Sequence, residues 1–142
     1  MHARTTFAPL PETPSLARHF IRTVLADHCD THTIYAAELM VSELVTNAVV
    51  HAVSDVEVQV ESSPRRTRIE ISDEGVEWVL TAGIRDDAAE RGRGLTIVAA
   101  CALRWGRHLS DGRTTVWFEV RGLGRDRERA ERPGATSELE AG

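Results

Sequence analysis

The 142-residue chain contains no lysine; all seventeen of its basic residues are arginine. That excludes chemistry needing a lysine amine, such as a Schiff base or a lysine-based phosphate loop. Cysteine is nearly absent too: Cys29 and Cys101 are too few and too far apart for a disulfide framework or a four-cysteine zinc site, and reduced thiols are expected. His28, Cys29 and His32 cluster, but their spacing matches no standard zinc pattern and the segment reads as a surface turn after a helix end. No apolar run approaches the ~20 residues of a membrane span. The N-terminus lacks the basic region, apolar run and cleavage site of a secretory signal. A cytoplasmic location without a membrane partner is therefore expected. Basic surplus is missing as well. The net charge of −5 argues against direct nucleic-acid binding, which calls for a basic face able to release phosphate counterions. Arg65-Arg66 falls in a Ser-Pro turn and Arg125 to Arg132 alternates with acids, so neither forms a cationic stripe.

What remains is ordinary globular composition, 42% hydrophobic and 27% charged, in a length suited to one domain. From Gly122 onward the chain turns to Gly, Arg, Glu and Pro, so the expectation is one domain over 1–122 and a disordered tail over 123–142. Thr5 to Pro9 suggests a short edge strand. Leu16, Phe20 and Val24 repeat every four residues after Ser15, a candidate N-cap, which predicts a helix ending near His28. A second helix is expected from about Thr33 to Ala52, without Gly or Pro. Val56, Val58 and Val60, then Ile69 and Ile71, alternate with polar residues as in half-buried strands, joined by a hairpin loop at 62–66. Residues 76–91 have few apolar anchors and suit a lid. Leu95 to Leu103 predicts a third helix, and Asp111-Gly112 a hairpin turn between strands 104–109 and 113–120. The resulting fold class is α+β: a two-layer sandwich of about three helices on one face of a mixed, largely antiparallel sheet.

Three motifs carry chemistry. Glu43, Asn47 and His51 stand at four-residue steps on the second helix, so they share one stripe with Cβ atoms about 5–6 Å apart. An asparagine oxygen suffices as a protein anchor for Mg²⁺, which keeps several waters and bridges phosphates. A glutamate one turn earlier suits a general base in phosphoryl transfer. Asp73 at a strand end, followed by Gly75, suits adenine: the carboxylate accepts from the exocyclic amine, and glycine lets the backbone approach. Gly92, Arg93, Gly94 and Leu95 open the third helix, where backbone amides can seat phosphate oxygens.

Taken together, Glu38 to His51, Asp73-Glu-Gly75, Gly92-Arg-Gly-Leu95, Arg104-Trp-Gly106 and Arg113-Thr-Thr-Val-Trp117 resemble the small bacterial ATP-binding regulators related to anti-sigma factor serine kinases. Those belong to the Bergerat-fold superfamily of histidine-kinase-like ATPases. The resemblance spans about residues 5 to 121. It implies ATP and Mg²⁺ as cofactors, Glu43 as catalytic glutamate and Asn47 as the metal-binding asparagine. It further implies Asp73 and Gly75 at the adenine and Gly92 and Gly94 at the phosphates, with Leu95 beside them. Thr115 matches a strand threonine that helps hold the adenine, His51 a recurrent position at the helix end, and Arg93 could touch phosphate. After Asp73-Glu-Gly75 the family often has a second glycine or a proline, whereas this chain has Val76-Glu77-Trp78. Trp105 and Trp117 fit strand aromatics that pack.

The implied activity is a serine/threonine protein kinase regulating transcription. It would phosphorylate an anti-anti-sigma-type partner, bind a sigma factor, and dimerise by family analogy. A nucleotide-gated sequestration module with little turnover is the alternative. A detached histidine-kinase catalytic domain fits less well, because no dimerisation helix pair with a phospho-acceptor histidine is present.

Overall fold

The alternating valines and isoleucines form the sheet as expected. The structure, a computed structural model, describes residues 1–51, 54–74 and 93–124. Among these residues eight elements follow in order: β1 (His2–Phe7), α1 (Thr13–Leu25), α2 (Thr31–Val50), β2 (Val56–Ser62), β3 (Arg66–Asp73), α3 (Arg93–Cys101), β4 (Arg104–Ser110) and β5 (Arg113–Arg121). The strands make one sheet in the order β1-β2-β3-β5-β4, antiparallel at every described pairing. The lid proposed at 76–91 and the tail from residue 125 lie outside the described residues.

The helices cover one face. Val56, Val58 and Val60 of β2, Ile69 and Ile71 of β3, and Val116, Phe118 and Val120 of β5 are all buried. They meet Ala17, Ile21 and Leu25 of α1 and Met40, Val41, Leu44 and Val45 of α2 in one core. By length and composition alone α2 could cross a membrane. Here it is the central helix, packed between α1 and α3 and lying on β2, β3 and β5.

Several boundaries differ from the sequence expectation. β1 begins at His2, because the whole stretch from His2 to Phe7 pairs with Glu61 to Val56 and places Phe7 opposite the buried Val56. Helix α1 starts at Thr13 rather than after Ser15: Pro14 sits in its first turn, where its missing N–H costs nothing. The Thr13 hydroxyl donates to Ala8 O and accepts from Leu10 N, so it shapes the approach to the helix. Helix α2 starts at Thr31 rather than near Thr33, because Asp30 caps it; its Oδ1 accepts from Thr33 N at 2.7 Å. That bond, with nearby His32 and Arg121, holds the Asp30 carboxyl below the ordinary range.

Cys29 is not on a surface turn. It is 3% exposed, with Sγ 3.7 Å from Thr67 Oγ1, and burial raises its thiol pKa. Ordered chain also runs past 122, since Gly122 N donates to Arg65 O at 2.9 Å and Leu123 N to His28 O at 3.1 Å. At the opposite end of the sheet Asp111 and Gly112 both take positive φ, 53° and 74°, as the tight hairpin turn requires.

Candidate functional site

Two polar side chains of α2 are held by arginines of α1. Arg22 Nη2 donates to Glu38 Oε1 and Arg18 Nη1 to Ser42 Oγ, each at 2.7 Å. The stripe expected to carry chemistry lies on another side. Glu43 is half-buried and has no hydrogen-bond or ion-pair partner among the described residues. Asn47 is 8% exposed, and its Nδ2 is buried with no hydrogen-bond partner. Leaving a buried amide unsatisfied costs about 1–3 kcal/mol, and a half-turn of the amide exchanges its oxygen and nitrogen without changing its shape. His51 closes the helix, its N–H donating to Asn47 O at 3.2 Å.

The C-terminal ends of α2 and β3 are tied together. Glu74 N donates to Ser54 Oγ at 2.8 Å, and that hydroxyl donates to Asp55 O at 2.9 Å. Ser54 is three residues beyond His51 and Glu74 one beyond Asp73, so the end of the polar stripe and Asp73 occupy the same end of the two layers. Three residues span at most about 11 Å.

Side chains alternate between the faces of a strand, and this decides what surrounds Asp73. Ile69, Ile71 and Asp73 pair with Phe118, Val116 and Thr114; these residues share the helix-covered face. Asp73 is 4% and Thr114 1% exposed. Thr115, the threonine singled out from sequence, points the other way. It pairs with Ser72 on the outer face, their hydroxyls 2.9 Å apart. The hydroxyl facing the same side as Asp73 is that of Thr114, one residue earlier, which sequence reasoning missed although the alternation with Val116 and Phe118 carried the signal.

Gly75 and Gly92 fall outside the described residues. Arg93, Gly94 and Leu95 form the first turn of α3, whose initial backbone N–H groups have no partner within the helix and suit an anion. After the two-residue link Ala102-Leu103, β4 returns against α3. The N-terminus of α3 therefore lies toward the β4–β5 turn, at the same end as Asp73 and Thr114.

The outer face is occupied differently. Trp117 lies across Gly106, with Arg68 stacked 4.0 Å above the ring centroid. Arg104 Nε lies 3.0 Å from Glu119 Oε1 in an ion pair, off hydrogen-bond alignment, and Arg66 is 3.6 Å from the same oxygen. Trp117 thus packs as expected, on the side away from the candidate site, whereas Trp105 packs against the core.

The residues present fit a magnesium nucleotide. Among the described residues, the buried Asn47 amide and the half-buried Glu43 carboxylate have no hydrogen-bond partner, and with buried Asp73 and the N-terminus of α3 they are the kinds of group that a magnesium nucleotide uses. Comparison with known proteins gives the family and the fold. Residues 7–120 match the model of the histidine kinase-like ATPase domain. Among solved structures, the chain is similar to one holding the RsbU and RsbW domains of Rv1364c from Mycobacterium tuberculosis, with a TM-score of 0.67 at 21% identity. The match covers 86% of this chain and 32% of that one, so the chain spans about a third of that protein's length and the likeness is one of fold. No curated protein matches it. On the family match, which takes in every described element from α1 to β4 and all of β5 but its last residue, the chain belongs to the histidine kinase-like ATPase domain family.

Proposed function

We propose that the chain is an ATP- and Mg²⁺-dependent serine/threonine protein kinase that acts as an anti-sigma-factor-like regulator on an anti-anti-sigma-type partner. The observation that carries this reading is the division of α2. Its Glu38 and Ser42 are held by α1, while Glu43 and the Asn47 amide nitrogen, nearer the end shared with Asp73, have no hydrogen-bond or ion-pair partner among the described residues. The motif resemblance and the likeness in fold to a structure holding an RsbW domain support the regulatory class.

Each residue then has a task. Asp73 accepts from the exocyclic amine of adenine, with the Thr114 hydroxyl beside it. The first-turn amides of α3 donate to phosphate oxygens. Asn47 would hold Mg²⁺ through its side-chain oxygen, and the ion would supply charge neutralisation at the phosphates. Glu43 accepts the proton of the partner's serine hydroxyl as that oxygen bonds to the γ-phosphorus and the bond to the ADP oxygen breaks. The new phosphoserine adds about −1.5 to −2 charges to the partner, enough to change which surface it binds. Val76-Glu77-Trp78, which departs from the family pattern, favours a second reading in which the same pocket gates binding with little turnover.

Incubation with γ-labelled ATP and a candidate anti-anti-sigma protein separates the two. Glu43→Ala should retain ATP binding and lose phosphate transfer. Undiminished transfer by that variant overturns the role of Glu43, and no transfer by the wild type to any such partner favours the gated module.

A further inference from the structure

Asp73 and Thr114 do not end their row on the sheet. Thr114 pairs on its other side with Leu109 of β4, just as it pairs with Asp73 of β3. Directly opposed residues in antiparallel strands present their side chains on the same face. That face is the one toward the helices, because Trp105, four residues earlier on β4, pairs with buried Phe118 and packs against the core. Strands lie about 4.8 Å apart, so Asp73, Thr114 and Leu109 form a row about 10 Å wide at the site end of the sheet. Its three members differ in one respect: Asp73 and Thr114 are buried, whereas Leu109 is 50% exposed. A leucine on the inner face, in line with the two polar groups, is thus half exposed beside two buried neighbours.

We infer that Leu109 forms the apolar edge of the adenine seat. Asp73 reads the amine of the base, Thr114 lies between, and the Leu109 side chain covers apolar ring surface that the two polar groups cannot. Purine sites need such a surface, since a flat ring gains most of its affinity from apolar burial and its orientation from a few polar groups. The chemistry is specific to the base and indifferent to the number of phosphates. This inference rests on the ATP-binding reading.

Calorimetric titration of the full chain with Mg-ATP and with Mg-ADP tests it, using wild type, Leu109→Ala, Leu109→Met and Asp73→Asn. Removing about half of a leucine's burial should weaken both nucleotides by the same factor, about tenfold. Leu109→Met, which keeps the apolar volume, should bind within about threefold of wild type. Because Leu109 stands on an edge strand and is half exposed, the ligand-free melting temperature should change little. If Leu109→Ala melts lower, the methionine variant decides: binding as weak as that of the alanine variant overturns the inference. Leu109→Ala binding ATP like wild type while Asp73→Asn is impaired also overturns it and leaves the ATP reading standing. Wild type failing to bind ATP, or Asp73→Asn binding it equally well, overturns the reading and the inference together.

Discussion

Changing Thr114 and Thr115 separately to valine should affect two different properties, because the neighbours face opposite sides of one strand. Thr115 Oγ1 lies 2.9 Å from Ser72 Oγ, and both residues are buried. Thr115→Val keeps the shape but leaves the Ser72 hydroxyl unpaired, a loss of about 1–3 kcal/mol. For a domain of this size each kcal/mol moves the melting temperature by about 3–5 °C. A drop of roughly 3–10 °C is therefore expected, moderated by the good strand propensity of valine. Its ATP affinity should stay within about twofold of wild type, since the change lies across the sheet from Asp73. Thr114→Val removes the hydroxyl in line with Asp73. A hydrogen bond worth about 0.5–1.5 kcal/mol corresponds to roughly two- to twelvefold weaker ATP binding. Thermal melting and calorimetric titration of the two variants suffice. ATP binding impaired more by Thr115→Val than by Thr114→Val would refute the assignment of faces and return Thr115 to the adenine.

Two further outcomes test other parts of the molecule. A Cβ at Gly106 would lie 2.7–2.8 Å from three indole atoms of Trp117; Gly106→Ala must displace a ring already capped by Arg68, so chemical denaturation should show a loss of about 1–3 kcal/mol, and a variant as stable as wild type would contradict the packing. Asp30 has a depressed carboxyl pKa in the folded state, so its contribution is present above the ordinary aspartate range and is lost as pH falls through and below its folded value. Asp30→Ala should accordingly melt below wild type at neutral pH and converge with it in strong acid; an equal gap at both extremes would show that the carboxylate charge is not what caps α2.

The legible parts of the chain were those where pattern and burial agree. The period-two runs at Val56–Val60 and Ile69–Ile71, the uninterrupted apolar positions of α2 and the Asp111-Gly112 turn each set element and face together. Glu43 and Asn47 were legible as a stripe, though only the structure shows that the neighbouring polar residues on the α1 side are already paired. That Thr115 faces away from Asp73 was not legible, because a Thr-Thr pair offers two hydroxyls and motif matching has no sense of face; the register with Ile71 and Asp73 supplies it. Cys29 was misplaced because a short polar stretch, His28 to Asp30, looks like surface, and the covering by β3 comes from residues nearly forty positions later. The extent of β1 depends on its pairing with β2, a contact across more than fifty residues that local pattern does not contain.

The pairing of β3 with β5 has a consequence for how such a protein can diversify. β3 ends at Asp73, and its neighbour in the sheet, β5, begins at Arg113, after α3 and the edge strand β4, with Asp73 opposite Thr114. The register of that seam is set by the strands themselves, from Arg66–Arg121 at one end to Asp73–Thr114 at the other. The number of residues between Asp73 and Arg93 can therefore change without altering any of these sheet pairs. Insertions there would follow Asp73 closely in sequence while leaving the β3–β5 register unaltered. Evolution, or an engineer, could thus vary the length of chain between Asp73 and Arg93 independently of the row that Asp73 and Thr114 form.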